Sequence, residues 1–405
     1  MKIGLIRETK NPIDNRVALS PKQVAELNSK FPHSKIVVQT SNIRAYSDEE
    51  YTNEGVEIVS NIEDCDVLFG IKEAKINTLI PNKHYFFFGH IAKMQEYNRP
   101  LLQTFLKDNI TFSDYEYLID KDGKRLCAFG WWAGVVGLYY TLQGFGFRES
   151  TYNLPKPDLR FTIQDLLKAL KSVDLPAVKI LITGNGRVSK GAQYILEKIG
   201  ADRLNDEQFT SDSSVNKLSY FVATTDKLVK RKDGSPYSHE EFKKFPQLYE
   251  SNFMKWAKYT DIFLSCHFWA SDAPVYVTPE ILRNQEIPIR VIGDITCDIC
   301  GSIMSTIRPS THAEPFYDFN PYTEQEEKAF SSAKNITVMA VDTCPNALAR
   351  EASQYFGEML TEHVFKPLLE GKNSRIIENA TIVEKGHLTN RFSYLKSFAQ
   401  IEEQN

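Results

Sequence analysis

In the first third of the chain, three apolar runs stop at ionisable residues. Lys72-Glu73 follows residues 65–71, Gly89-His90 follows residues 85–88, and Asp114-Tyr115-Glu116 follows residues 110–112. A histidine titrates near neutrality and suits general acid–base work. A lysine beside it serves either as a base, if its pKa is lowered, or as a positive charge that polarises a carbonyl oxygen or holds a carboxylate. The glutamates would raise the pKa values of both through nearby negative charge. Taken singly, Lys72, Glu73, His90 and Glu116 read as a solvated lysine, surface glutamates and a satisfied histidine. At the ends of successive strands of an open parallel sheet they converge, because the ligand crevice of such a sheet lies outside the carboxyl ends of its strands. Arg16, in Asn15-Arg16-Val17-Ala18-Leu19, follows the first such run and precedes Ser20. Its fork suits a bidentate grip on a substrate carboxylate, and equally a surface ion pair.

A second stretch has a different chemistry. The β-branched run 178–183 leads into Gly184-Asn185-Gly186-Arg187-Val188-Ser189-Lys190-Gly191-Ala192, after which Ala192, Ile195, Leu196 and Ile199 recur at helical spacing. Glycines where a strand turns directly into a helix are what a dinucleotide site requires. Gly184 permits the tight turn, Gly186 lets backbone N–H groups approach a pyrophosphate, and the helix start at Arg187 and Val188 supplies partial positive charge. The third glycine of G-x-G-x-x-G is Ser189, small enough for helix–strand packing, and an ordinary strand-to-helix turn is an equal reading of this stretch alone. Asp202-Arg203-Leu204-Asn205-Asp206 stands where the second strand of a mononucleotide-binding half should end. Asp206 suits the ribose hydroxyls of NAD and Arg203 the extra phosphate of NADP. Asp294 and Asp298 are two carboxylates, four residues apart, at the end of the run 290–295.

The elements that must position these groups alternate. Strand-like runs at 3–6, 35–39, 65–71, 85–88 and 110–112 are separated by helical stretches at 21–27, capped by Ser20, and at 101–106. Residues 1 to about 125 are therefore expected to form an α/β domain with a mainly parallel sheet. The strand pattern resumes at 178–183, 261–266, 290–295 and 338–342, and an amphipathic helix at 348–360 is expected to cross back to the first domain. Residues 207–252 are polar and read as a long insertion carrying little core. Residues 127–147 lack charge and have the length of a membrane span. Their five glycines, with Thr141 and Gln143, make a buried helix joining two domains the better reading.

A length of 405 residues gives room for two or three domains, at roughly 100–200 residues each. The hydrophobic fraction of 42% and charged fraction of 25% are those of a soluble globular protein, and a net charge of −4 makes no electrostatic case for nucleic acid or anionic membrane as partner. Six scattered cysteines and a strand-like opening segment without signal-peptide features point to a reducing cytoplasm. Cys297-x-x-Cys300 has no second cysteine pair and no helix-start thioredoxin context, so no metal site is expected.

Longer motifs carry a resemblance. They are Glu8-Thr9-Lys10 with Asn15-Arg16-Val17-Ala18-Leu19-Ser20-Pro21, Gly70-Ile71-Lys72-Glu73, Phe87-Phe88-Gly89-His90 and residues 123–130. Residues 183–192, 294–303 and 350–357 continue them. Together they resemble the alanine dehydrogenase and saccharopine dehydrogenase superfamily, within it the lysine–2-oxoglutarate reductase type. The resemblance implies an α/β fold of two Rossmann-like domains with parallel sheets and a cleft between them. Residues 1–130 plus 345–405 would form a discontinuous substrate domain and 131–344 the dinucleotide-binding domain. The implied reaction is NAD(P)H-dependent reductive condensation of L-lysine with 2-oxoglutarate to saccharopine, or the reverse oxidation, with NADP preferred over NAD. An alanine-dehydrogenase-like enzyme or related opine-type reductase, and a non-catalytic cofactor-binding module, are the alternatives. Lys72 matches the family's catalytic lysine, His90 its catalytic histidine, Glu73 and Glu116 acidic neighbours that tune them, and Arg16 the arginine that binds a substrate carboxylate. Asp298, with Asp294 as the competing choice, matches an aspartate near the nicotinamide. The partners implied are small molecules, with homo-oligomer formation left open. Such reductases are often fused to a second, glutamate-forming dehydrogenase for which this chain has no room, so the first step alone is expected. The charged tail 372–405 is assigned no role.

Overall fold

The apolar runs of the N-terminal third become strands of one sheet: β1 (Lys2–Leu5), β2 (Lys35–Gln39), β3 (Ile58–Val59), β4 (Val67–Lys72), β5 (His84–Phe88) and β6 (Thr111–Asp114). The computed structural model describes residues 1–400, in two units: Met1–Phe129 with the segment from Ala349 onward, and Gly130–Leu348. In the first unit the six strands are parallel in the order β6-β5-β4-β1-β2-β3. Strand order reverses at β1, so a switch-point crevice opens at the carboxyl ends of β1 and β4. Residues 6–16 and 72–73 run there. Ser20 starts the helix Pro21–Lys30, and its N–H donates to Gln23 Oε1 at 2.9 Å in a capping box.

The second unit opens with the helix Gly130–Glu149, whose residues from Gly134 to Gly146 are all buried. No helix among the described residues is long and apolar enough to cross a membrane. Gly134 lets helix 130–149 come close to the helix Arg187–Lys198, while Gly137, Gly144 and Gly146 make room for Ile295, Phe316 and Tyr152. A Cβ on Gly134 would lie 1.8 Å from Val188 O, and one on Gly191 would lie 1.9 Å from Trp131 O. Gly191, the glycine displaced two places in the turn motif, thus packs helix on helix, while Ser189 is buried and accepts from Gln193 Nε2 at 2.9 Å.

The strands of this unit are β7 (Lys179–Thr183), β8 (Asp202–Arg203), β9 (Ser219–Ala223), the hairpin β10 (Val229–Arg231) and β11 (Tyr249–Ser251), β12 (Ile262–Ser265), β13 (Val291–Asp294), β14 (Phe316–Asn320), β15 (Gln325–Glu327) and β16 (Ile336–Met339). Apart from the separate hairpin they form an eight-stranded sheet in the order β15-β14-β16-β13-β12-β7-β9-β8, antiparallel only at β14 and β15. The expectation that residues 207–252 carry little core is overturned. They contain β9, fully buried beside β7, and supply Phe209, Phe221, Leu228, Val229 and Tyr249 to the hydrophobic core, with Phe221 stacked 4.8 Å from Trp256. A five-residue buried strand inside a polar segment shows no alternation to betray it.

The chain then returns to the first unit. Helix Ala349–Leu360 buries Ala349, Ala352, Ser353, Phe356, Gly357 and Leu360, the i, i+3, i+4 stripe of an amphipathic helix. Phe356 stacks on Phe129 at 4.3 Å and meets Tyr115 and Phe88 edge-on or tilted. Burying one such ring contributes about 1.5–3 kcal/mol. Farther on, Phe365 stacks on Phe69 at 4.3 Å. β17 (Thr381–Glu384) then pairs antiparallel with β6 and is followed by β18 (His387–Leu388), so this sheet too has eight strands. Part of the tail left without a role therefore completes the sheet; residues 401–405 lie outside the described residues. Both sheets are mostly parallel with helices packed on them, an α/β architecture.

Candidate functional site

Lys72 is the last residue of β4, where the register against β5 slips between Phe69 and Lys72. Glu8 holds the slip: its two oxygens accept the backbone N–H groups of Ile71 at 2.7 Å and Lys72 at 3.0 Å. Gly70 leaves room for it, since a Cβ there would stand 3.3 Å from Glu8 Oε1. Burial, and then the neighbouring Asp14, push the Glu8 carboxyl up to about 8.

β5 delivers His90 through a tight turn. The N–H groups of Gly89 and His90 both donate to Asp114 Oδ2, at 3.1 and 3.0 Å, and Oδ1 takes the N–H of Glu116 at 2.9 Å. A side chain on Gly89 would meet the Phe112 ring at 2.5 Å. His90 sits at φ +53°, a left-handed conformation rare for residues other than glycine, and those two hydrogen bonds hold it there. Burial, and then Glu116, raise the Asp114 carboxyl to about 6.

The His90 ring meets Glu73, with Nδ1 to Oε1 at 2.9 Å, while Glu73 Oε2 accepts from Lys10 Nζ at 2.6 Å. Burial works to raise the Glu73 carboxyl, but the hydrogen bonds from His90 and Lys10 outweigh it and hold the group at about 2. An ionised carboxylate only accepts, so Nδ1 carries the hydrogen and Nε2 is left as the atom that exchanges protons. Glu116 stands apart from this pair. It forms ion pairs with Lys93 at 3.5 Å and Arg125 at 3.3 Å, and is linked to His90 through Asp114.

Arg16 is buried and forms no surface ion pair. Its guanidinium carbon lies 4.3 Å from the Phe129 ring centre, and Asp14 holds one edge of the fork, Nε to Oδ1 at 2.9 Å and Nη2 to Oδ2 at 2.5 Å. Burial opposes ionisation of Asp14, but Arg16 and then Lys72 bring its pKa down, which puts Arg16, Asp14 and Lys72 in one electrostatic cluster. The strand ends thus gather Lys72, Glu73, His90 and Arg16, together with Glu8, Lys10, Asp14 and Asp114, which the spacing of ionisable residues had not singled out for a role. Glu8 and Asp114 bond backbone N–H groups from neighbouring strands, an arrangement without a local signature.

In the second unit Gly184 takes φ +80°, and a Cβ there would lie 2.9 Å from His267 Cα. Beneath the turn His267 bridges Thr183 Oγ1, 2.7 Å from Nδ1, and Ser302 Oγ, 2.9 Å from Nε2, and burial pushes its pKa down to about 4. Gly186 is the N-cap of helix 187–198, with no side chain capping the helix and nothing within 4 Å of where its Cβ would be. The first-turn N–H groups of a helix have no intrahelical partner, and no side chain caps this helix start. The open space beside Gly186 at this helix start fits the pyrophosphate of a nicotinamide dinucleotide.

Two expectations for this cofactor change. The strand beside β7 is β9, not the segment that carries Arg203: β8 is the exposed outer edge, one strand farther from the glycine turn. Gly184 N–H donates to Ala223 O at 2.8 Å, so the carboxyl end of β9, Thr224-Thr225-Asp226, adjoins the turn. Asp226 is exposed and forms no ion pair among the described residues, whereas Asp206 is paired with Lys227. Asp294 is turned inward and buried, accepting from Thr296 N–H and O–H, Cys297 N–H and Thr306 O–H. It fastens its own loop, and Asp298 is the exposed carboxylate of that pair. In the same loop Cys297 and Cys300 are free thiols, and no cluster able to hold a metal ion occurs among the described residues.

Residues 4–136 match the alanine dehydrogenase/PNT N-terminal domain. The chain is 29% identical over 437 residues to alpha-aminoadipic semialdehyde synthase of Arabidopsis thaliana, covering 97% of this chain and 41% of that protein. It thus spans less than half the length of that relative. It is 28% identical over 389 residues to saccharopine dehydrogenase [NAD(+), L-lysine-forming] of Candida glabrata, covering 91% of each. Among solved structures, an L-alanine dehydrogenase superposes with a TM-score of 0.67 at 17% identity, covering 98% of this chain and 99% of that one, a likeness of fold.

Proposed function

We propose that this chain, whose first unit carries an alanine dehydrogenase/PNT N-terminal domain, is a nicotinamide-dependent oxidoreductase that joins L-lysine to 2-oxoglutarate, or splits the product saccharopine. The observation that carries the reading is the fixed His90–Glu73–Lys10 chain beside Lys72 at the carboxyl ends of β4 and β5. Forming the imine requires removal of a proton from the attacking amine and delivery of one to the departing hydroxyl. His90 Nε2 performs both exchanges, its ring oriented by Glu73. Lys72, held out by the Glu8 clasp, polarises the keto oxygen or holds a carboxylate. Arg16, with one edge fixed by Asp14, grips a carboxylate of the keto acid. The dinucleotide, when bound by Gly184, Gly186 and the start of helix 187–198, supplies or accepts the hydride.

We assign the adenosine ribose to the carboxyl end of β9 and NAD(H) as the preferred cofactor. Asp226 offers a carboxylate to the ribose hydroxyls and repels a 2′-phosphate. Arg203 is on the outer strand and Lys227 is engaged by Asp206, so neither cation offsets that repulsion.

The test is oxidation of NADH and NADPH with lysine plus 2-oxoglutarate, against ammonia plus pyruvate or 2-oxoglutarate. Lysine-dependent oxidation that favours NADH and collapses in His90→Gln and Lys72→Met is the expected result. Activity with ammonia alone transfers the reading to an alanine-dehydrogenase-like enzyme. Cofactor binding with silence in every mixture makes the chain a binding module.

A further inference from the structure

Alternate residues of an extended segment point to opposite sides. After β1, Glu8 and Lys10 turn to the backbone of Lys72 and the side chain of Glu73. Alternating with them, Arg7 and Thr9 line a separate cleft of about 300 Å³, walled also by Gln39 at the end of β2, Ser60, Asn61 and Glu63 beyond β3, and Thr78 beyond β4. It lies at the carboxyl ends of the strands, the side of a parallel sheet where ligands bind, and uses none of the candidate catalytic residues.

The polar groups of this cleft divide into two kinds. Gln39 is fixed, accepting from the Arg7 N–H at 3.1 Å and donating to Ser60 O at 3.4 Å, and Thr9 Oγ1 accepts from the Lys75 N–H at 3.2 Å. The Arg7 guanidinium and the Glu63 carboxylate, by contrast, form no hydrogen bond or ion pair with each other or with any other described residue. Nearby charges do pair, Lys2 with Asp64 and Lys10 with Glu73.

We propose that this cleft is a second ligand site, for a free α-amino acid, with the ligand carboxylate on Arg7 and its ammonium on Glu63. A simple anion would face the repulsion of Glu63, and a simple cation that of Arg7; a zwitterion satisfies both. The cleft shares residues 6–10 and 72–80 with Glu8, Lys10, Lys72 and Glu73, and the Lys75–Thr9 hydrogen bond ties the two segments together. Occupancy therefore acts on the backbone that presents the candidate catalytic lysine.

Equilibrium dialysis of the full chain against labelled L-lysine and L-glutamate counts sites without turnover, so its outcome is separate from that of the reductase assay. Wild type is expected to bind one equivalent of amino acid that survives Lys72→Met. Arg7→Ala and Glu63→Gln are each expected to weaken that equivalent by about tenfold or more, the loss of one charged contact. Both residues are exposed, and the near-isosteric Glu63→Gln carries the test if Arg7→Ala perturbs folding. Glutarate and 1,5-diaminopentane, each lacking one end of the zwitterion, are expected to compete at least about tenfold more weakly. An equivalent that is absent in wild type, or one that Arg7→Ala and Glu63→Gln leave unchanged, overturns the proposal. Glutarate binding as tightly as glutamate makes the cleft a plain anion site and overturns it equally.

Discussion

Replacing Glu73 by glutamine separates the two duties of that carboxylate. A carboxyl held at about 2 rather than near its ordinary 4.5 contributes on the order of 3 kcal/mol to folding at neutral pH. The amide keeps one acceptor for His90 or Lys10, which returns about 1 kcal/mol. The expected net loss at pH 7 is therefore about 2 kcal/mol, a fall in Tm of the first unit of roughly 4–8 °C. The folded-state pKa is the lower one, so the stabilisation is fully present above pH 4.5 and is lost as the pH falls toward 2. At pH 3.5 the wild-type advantage should have shrunk to about 1 kcal/mol. Thermal unfolding of both proteins at the two pH values measures this directly. Turnover should fall by about 10–100-fold as well, because the amide no longer dictates which His90 nitrogen carries the hydrogen. A variant as heat-stable as wild type at pH 7, or a stability gap that stays the same at pH 3.5, would refute the reasoning.

Two glycines of the second unit should respond oppositely to alanine. Gly191→Ala drives a methyl into the Trp131 carbonyl and should cost about 1–3 kcal/mol, read as a lower Tm. Gly186→Ala meets open space and should leave Tm unchanged while weakening NADH binding, measured by fluorescence titration, because its methyl occupies the approach to the helix N-terminus. Asp226→Asn should raise kcat/KM with NADPH relative to NADH by about tenfold, the removal of one like-charge contact; an unchanged ratio would return the ribose to another residue.

The strands legible in the sequence are short, mainly apolar runs between clear breaks, such as β4, β5, β7 and β13. β9 is masked because Ser219–Ala223 is a short run inside a polar stretch, and because the two-residue β8 occupies the place in sequence where a second strand is expected. That is why the expected ribose contact falls on β8, one strand farther from the glycine turn than β9. In the candidate site, ionisable side chains at strand ends were legible as a group. The side chains that hold them were not. Glu8 and Asp114 act on N–H groups contributed by other strands, and those partners become neighbours only through sheet pairing. Asp294, four residues before the exposed Asp298, fastens its own loop, which depends on which way one side chain points.

The first unit is built from both ends of the described chain, and this imposes an order on its biosynthesis. Residues 1–129 leave the ribosome before the second unit, yet the pairing partner of β6 and the rings that stack on Phe69 and Phe129 lie beyond residue 349. At about 5–20 residues per second, the intervening segment takes roughly 10–45 s to translate. For that interval the nascent sheet has an open edge at β6 and uncovered aromatic surface, the features that invite mispairing with another chain. The second unit, contiguous in sequence, can finish first. Limited proteolysis of stalled nascent chains should find residues 130–348 protected while residues 1–129 are still cleavable. The last-made strand, rather than the first, then determines when Lys72 and His90 acquire a stable scaffold.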